Sequence, residues 1–318
     1  MGKPPTELSP RCWLEVKPII RALIRANRVN RYVVITPAHN EESFIEKTIS
    51  SVIAQTARPV KWVIVNDAST DRTREIVEVH SQKHSFIELV NVERAAGRHF
   101  GNKVRAFNAG LERLKDLDFD FIGNLDADMS FDPTYYQSLI QQFELNPKLG
   151  VGGGMVHTTI DGRFVSQEVA LDSVAGAVQL FRRKCFEQVG GYRAMPLGGI
   201  DAAAEVAARM HGWQTRTFPK LITREHRFTG AATASPLKSR FKEGKRMHSL
   251  GYSPIFFFVR CVYRILERPA LIGSVAALWG YFMSSISFAP SAVSPEVVRY
   301  LRSEQHAKLK RLLGFKTA

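Results

Sequence analysis

The sequence predicts an α/β fold, a mostly parallel sheet covered by helices on both faces and followed by a helical C-terminal extension. Three observations predict it. Short β-branched runs alternate with stretches of helical periodicity between residues 32 and 130. The runs are mainly apolar, as strands buried between two helical layers must be. Polar residues gather where the runs end, at the carboxyl ends of strands, which is where such sheets bind ligands.

Tyr32-Val33-Val34-Ile35-Thr36 is the first strand, stopped at Pro37. From Glu42 to Ile53 a helix places Phe44, Ile45, Thr48, Ile49, Val52 and Ile53 on one face. Trp62-Val63-Ile64-Val65 is the second strand, and a helix capped by Asp71 turns Ile76, Val77 and His80 inward. Ile87–Val90 is the third strand, Lys103 to Leu114 a further helix, and 119–125 the fourth strand. His39-Asn40-Glu41, Asn66-Asp67 and Asp126-Ala127-Asp128 then stand at three neighbouring strand ends. Gly152-Gly153-Gly154 reads as a sheet bend that needs small residues. It is not a phosphate cradle, because no Lys accompanies it and neither G-x-G-x-x-G nor G-x-x-x-x-G-K-[ST] is present.

With 318 residues and 45% hydrophobic content, the composition excludes a disordered tail, a collagen-like chain and a polytopic membrane protein. Cys12, Cys185 and Cys261 form no CxxC pair, so neither a disulfide framework nor a zinc site is expected, and a reducing compartment fits. Pro, Glu and Arg interrupt every apolar stretch that a secretory signal would need near the start. The net charge of +14 is uneven: +5 over residues 1–31, −3 over 32–219 and +12 over 220–318.

Asp126 and Asp128 sit two residues apart at the end of an extended run, so both carboxylates reach one point in space. Two carboxylates together are unfavourable without a compensating cation. Hard oxygen donors suit Mg²⁺ or Mn²⁺ rather than Zn²⁺, and such an ion also holds a diphosphate.

Thr36-Pro37-Ala38-His39-Asn40-Glu41, Val65-Asn66-Asp67-Ala68-Ser69-Thr70-Asp71, the segment Gly101 to Gly110, and Asp126-Ala127-Asp128 together resemble the family 2 glycosyltransferases, over about residues 32–230. The resemblance implies a GT-A type, Rossmann-like sheet with a nucleotide-binding half at about 32–130 and an acceptor half at about 131–230. It implies that Thr36, Pro37, Ala38, Glu41, Asp67, Lys103, Asn108, Asp126 and Arg227 bind the nucleotide-sugar, and that Asp126, Asp128 and His226 hold the metal. Asn66 stands where the family carries the first Asp of a pair. Leu180 to Phe186, through Gly190-Gly191-Tyr192, resembles the family's strand, basic turn and loop before the acceptor site. Gly198-Gly199-Ile200-Asp201 occupies the place of the family's Glu-Asp motif, with Ile200 replacing Glu, so Asp201 is the expected catalytic base and Glu205 the alternative. The implied activity is a metal-dependent, inverting hexosyl transfer to a saccharide or lipid-linked acceptor in cell-envelope, exopolysaccharide or glycolipid synthesis. The alternatives are a sugar-1-phosphate nucleotidyltransferase, which would carry a Gly-rich loop at Pro37-Ala38-His39-Asn40, and a non-catalytic membrane-binding module that keeps the fold.

Residues 269–295 contain no charged side chain, and Ala270 to Ala289 is long enough to cross a bilayer. Gly273, Ser274, Gly280 and Ser284 dilute it, and arginines flank it on both sides. The expectation for 231–318 is therefore a basic, helical region lying in or on the cytoplasmic face of a membrane, with Phe256, Phe257, Phe258, Trp279 and Tyr281 at the interface. The excess charge is assigned to that surface, and no nucleic-acid partner is expected.

Overall fold

The computed structural model describes residues 30–93, 101–160, 163–166, 170–227, 235–267 and 269–314. Nearly all of the basic segment 1–31, with Cys12, lies outside them. β1 (Tyr32–Ala38), β2 (Lys61–Asp67), β3 (Ile87–Val92) and β4 (Phe121–Asn124) run parallel in the order β3-β2-β1-β4. The intervening helices are α1 (Ile45–Ile53), α2 (Thr73–Lys83) and α3 (Gly101–Glu112). Side chains alternate across this sheet. Val34, Trp62 and Ile64 join Ile45 and Ile49 of α1 in one core, while Val33, Ile35, Val63 and Val65 join Val104 and Phe107 of α3 in another. Both faces are thus covered, as the mainly apolar runs require.

The second half adds β5 (Met129–Phe131), α4 (Tyr135–Leu145), β6 (Leu149–Ile160), β7 (Arg163–Ser166), β8 (Leu180–Arg182), α5 (Arg183–Val189), α6 (Ile200–Met210) and β9 (Gln214–Glu225). β8 is inserted antiparallel between β4 and β6, β9 runs parallel to β6, and β5 closes the sheet antiparallel to β9. The expected basic turn after Leu180-Phe181-Arg182 is the first turn of α5. In β6 a Cβ on Gly153 would lie 2.7 Å from the Val178 carbonyl oxygen, and one on Gly154 2.2 Å from that of Leu221. A register shift falls between Gly154 and Met155, so the triple glycine is the sheet irregularity the sequence suggested.

Four helices follow: α7 (Pro236–Ser249), α8 (Pro254–Tyr263), α9 (Ile272–Ile286) and α10 (Pro295–Leu312). They form no separate core. Met247, Phe257, Tyr281 and Leu301 pack with Met195, Ala203 and Val206, the last two on α6. Ile200 packs against this cluster and against the α3-side core of the sheet, an apolar junction that a Glu at this position would disrupt.

Ala270–Ala289, long enough in sequence to cross a bilayer but diluted by small residues, is not one continuous helix. α9 has 15 residues, about 22 Å of helix against a hydrocarbon core of roughly 30 Å. Among the described residues no helix is long and apolar enough to cross a membrane. The small residues that dilute the stretch have a different use: Gly273, Ala277, Gly280 and Ser284 are buried. A Cβ on Gly280 would sit 2.1 Å from the Phe241 carbonyl oxygen, and one on Gly244 of α7 1.9 Å from that of Ala277. Gly244→Ala should therefore part α7 from α9 and lower stability by about 1–3 kcal/mol, read as a fall in melting temperature. An unchanged melting curve would contradict this packing.

Candidate active site

Two loops at the carboxyl ends of β1 and β2 are stitched together by polar side chains. Asn40 has φ 56°, and its Oδ1 accepts a hydrogen bond from the Thr70 amide at 2.8 Å, while its own amide donates to Ser69 Oγ at 3.1 Å. The Glu41 amide donates to Thr73 Oγ1, and the Glu42 amide to Asp71 Oδ2. Asp71 also accepts from the Thr73 amide at 3.0 Å, but it stands one residue before the N-cap, which is Arg72 and makes no side-chain cap bond, so Asp71 ties the turn ahead of α2 where the sequence suggested a cap. Asn66 is turned to β3, donating to Asn91 Oδ1 at 2.9 Å and accepting from the Ser69 amide. An Asp at 66 could not donate to Asn91, so the amide suits this contact.

Beyond β4 the chain places Asp126 and Asp128 among charges of both signs. Lys103 of α3 donates from Nζ to Asp126 Oδ1 at 2.5 Å. Burial lowers the pKa of this ammonium, but Asp126, Asp201 and Asp128 outweigh it and hold it above the usual lysine value. Asp128 is buried, and its carboxyl is pushed up to about 7, chiefly by burial and then by the charges of Asp126, Glu41 and Glu225; Arg227 opposes them. Arg227 bridges the two sides of the site. Its Nη2 donates to Glu41 Oε2, its Nε lies 3.6 Å from Asp128 Oδ2, and its guanidinium stands over the Phe44 ring. Burial also raises the Glu41 pKa, against the pull of Arg227. This surplus of carboxylates, one of them shifted toward its neutral form, fits a hard divalent cation: Asp126 and Asp128 supply anionic oxygens that repel one another without it.

His226 lies next to this pair without completing a cage. Its amide donates to the Asp128 carbonyl at 2.9 Å, yet its imidazole Nε2 is 2.8 Å from Ser130 Oγ and its ring meets Phe164 edge-on. Among the described residues no group of three His, Cys, Asp or Glu side chains is gathered for a metal. The expected third ligand is thus engaged by a hydroxyl, and burial and the cations Lys47 and Arg224 lower its pKa.

A cleft of ≈580 Å³ opens beside Asp126 and carries Lys103, Tyr192, Asp201, Glu225 and Arg246 on its walls. Asp201 stands in the first turn of α6. Its carboxylate packs against Gly176, where a Cβ would come within 2.8 Å of Oδ2. Residues 173–179 link the two acidic sides, because the Asp126 amide donates to the Ala177 carbonyl at 2.9 Å and Asn124 Nδ2 to that of Gly176.

Glu205 does not face the cleft as a second base. It is 2% exposed, and it accepts from the Val174 amide at 2.6 Å, Gln179 Nε2 at 2.9 Å and Ser173 Oγ at 2.8 Å. Gln179 in turn accepts from the Tyr192 hydroxyl at 2.7 Å. Burial pushes the Glu205 carboxyl up to about 7, with Asp201 adding to the rise and these donors and Arg209 opposing it. Glu205 lies on the same face of α6 as Asp201 but one turn further along the axis, where the helix has entered the domain. Glu205→Ala would leave three donors without an acceptor and should cost about 3 kcal/mol in urea denaturation.

Two further expectations shift. Thr36 is fully buried, and its hydroxyl accepts from the Trp62 indole at 2.9 Å, so it braces the sheet under the site. Pro37 is half-buried and Ala38 buried at the end of β1. Asn108 is exposed and lines a separate cleft with Arg183, Phe186 and Glu187. It follows Lys103 by five residues, about 140° around the helix, and so leaves the Lys103 face. Asp67 is buried, with Oδ1 3.4 Å from Arg105 Nη2. Arg105 and Arg246 were not anticipated. Arg105 follows Lys103 by two residues, about 200° around the helix, so its spacing gave no signal, and nothing local signals Arg246, since α7 reaches the cleft through tertiary packing.

The sequence model described as Glycosyl transferase family 2 matches residues 33–195. A poly-beta-1,6-N-acetyl-D-glucosamine synthase of Staphylococcus epidermidis is 26% identical over 200 residues, covering 56% of this chain and 46% of that protein. The synthase of the same name from Staphylococcus aureus is 25% identical over 215 residues, covering 62% and 50%. The chain thus spans about half the length of the curated relatives it matches. The mannosyltransferase PcManGT from Pyrobaculum calidifontis, solved in complex with GDP-Man and Mn2+, superposes with a TM-score of 0.52 at 17% identity, covering 93% of this chain and 88% of that one. GalNAc-T7, solved with UDP, GalNAc and Mn2+, superposes at 0.56 with 14% identity, covering 96% and 67%. At these identities the structures establish the fold.

Proposed function

The chain belongs to glycosyl transferase family 2, and from that premise we propose that it transfers a sugar, with inversion, from a nucleotide-sugar donor to a saccharide or lipid-linked acceptor. The observation that carries the reading is the cleft that joins Asp126 to Asp201, with Lys103 between charges from both and from Asp128. An inverting displacement needs positive charge to neutralise the departing nucleoside diphosphate, here a cation for acidic strand ends to hold, and a separate carboxylate for the attacking hydroxyl. Asp126 and Asp128 would hold Mg²⁺ or Mn²⁺, which when bound supplies Lewis-acid neutralisation of the diphosphate. Lys103, Arg246 and Arg227 add fixed positive charge at the cleft and beside the acidic pair. Asp201 takes the proton from the acceptor hydroxyl as its oxygen bonds to the anomeric carbon and the bond to the diphosphate breaks. The loop ties at Asn40, Ser69 and Thr73 keep Glu41 and Asp67 in place for the nucleoside.

The two relatives named as polysaccharide synthases support a role in cell-envelope or exopolysaccharide synthesis. The basic C-terminal helices support work at the cytoplasmic face of a membrane. A panel of UDP-, GDP- and dTDP-sugars with Mn²⁺, followed by thermal shift and by release of nucleoside diphosphate, tests the proposal. The true donor at 100 times its Kd should stabilise the protein by about 2.7 kcal/mol. No stabilisation and no turnover with any member would overturn it, and pyrophosphate-dependent cleavage would select the nucleotidyltransferase instead.

A further inference from the structure

We propose that the outward faces of α8 and α9 insert together into the headgroup region of an anionic bilayer, seating the protein on the membrane without crossing it. The proposal rests on the membrane-face reading above and is independent of the transfer chemistry.

Twelve of the 22 large apolar side chains exposed among the described residues lie between Ile255 and Phe288. They follow helical spacing. On α9 Val275, Trp279, Phe282 and Ile286 share one stripe and are each more than half exposed, opposite the buried stripe of Gly273, Ala277, Gly280 and Ser284. On α8 Ile255, Phe258 and Val262 form the matching stripe. Tyr263, the last residue of α8, adds 87% exposure and Leu266, in the turn that follows, 83%. Leu271 and Phe288, flanking α9, take positive φ angles of 57° and 51°, rare for bulky residues, and both side chains stand out in solvent. This concentration is not the scatter of single apolar residues that a soluble surface tolerates. The expected interface set is corrected in the same stroke. Phe257 and Tyr281 are buried and stacked on one another at 5.0 Å, so α8 and α9 present other residues to the outside.

Charge decides between occupants. Residues 235–314 carry thirteen Lys and Arg against four Glu, which opposes a second copy of the same face and favours anionic lipid. Trp279 and Tyr263 suit the boundary between headgroups and acyl chains. The arrangement also has a consequence for the cleft. α7 packs on α9 through Gly244 and carries Arg246 into the cleft wall beside Asp201. A single helix thus separates the acceptor side from the docking face, within reach of a lipid-linked acceptor.

Flotation of the full chain with phosphatidylglycerol–phosphatidylcholine vesicles, against phosphatidylcholine alone, tests this. The protein should float with the anionic vesicles, stay bound after a high-salt wash, and show a blue shift of Trp fluorescence that Trp279→Phe removes. Val275→Glu/Phe282→Glu, at exposed positions, should cut partitioning by about tenfold or more with an unchanged melting temperature. Release by salt alone, flotation unaffected by the double variant, or a concentration-dependent dimer that the variant dissolves in place of vesicle binding would each overturn the proposal. Donor hydrolysis in bulk solution, measured on the same variant, reports separately on the transfer reading.

Discussion

Asp128→Asn is expected to lower sugar-nucleotide turnover by about two to three orders of magnitude, the loss of several kcal/mol of leaving-group stabilisation, and to abolish the rise in melting temperature that Mn²⁺ produces. The same substitution should make the metal-free protein more stable near neutral pH. In the folded chain the Asp128 carboxyl is raised from 3.8 to about 7. Its proton is therefore held more tightly folded than unfolded. The associated stability is complete below about pH 4 and is lost as pH rises through 7, by at most about 4 kcal/mol. Melting temperature of the metal-free protein should fall from about pH 5 to pH 7.5, and the Asn variant should show a shallower fall. Some slope must survive, because Glu205, also raised to about 7, titrates in the same direction. A cation bound at the carboxylates favours their charged form, so Mn²⁺ should stabilise the wild type most at the upper end of this range. Equal stabilisation of Asp128→Asn by Mn²⁺ would remove Asp128 from the metal site.

Asp201→Asn should reduce transfer by about 10²–10⁴-fold, the usual worth of a positioned base, while the donor-induced thermal shift persists. The amide keeps the shape that packs against Gly176 and loses only the capacity to take a proton. Glu205 cannot substitute, since its oxygens are occupied by Val174, Ser173 and Gln179. Glu225 stands on the cleft wall with Asp126 and Asp201, accepting a hydrogen bond from Thr158 at 2.8 Å. Wild-type turnover in Asp201→Asn together with inactivity of Glu225→Gln would transfer the base role to Glu225.

Much of the site was legible because its residues cluster at strand ends, where a local pattern implies a place in space. Asp126 and Asp128 were readable as a pair from an extended run alone, and Asp71 as a turn residue at the start of α2, one position before the actual N-cap Arg72. The misreadings fall where a helix or a distant element decides. Asn108 and Lys103 belong to one motif in sequence, yet the turn of α3 sends them to different clefts. Thr36 lies in β1 beneath the site, but its hydroxyl points to Trp62. Ile200 lies between two apolar clusters, one of them built largely by residues more than forty positions later, a placement no local pattern shows.

The sequence by itself determined the alternation of strands and helices, the two-sided burial of the sheet and the placement of the acidic residues at its carboxyl edge. These follow from local periodicity and need no knowledge of what lies opposite. Only the tertiary structure decided which carboxylate turns inward, that Arg246 joins the cleft, and that the apolar stretch 269–295 is a 15-residue helix lying glycine-to-backbone on α7. Hydropathy sums a segment over all its faces. Packing then buries the small-residue stripe of α9 and leaves its large apolar stripe outside.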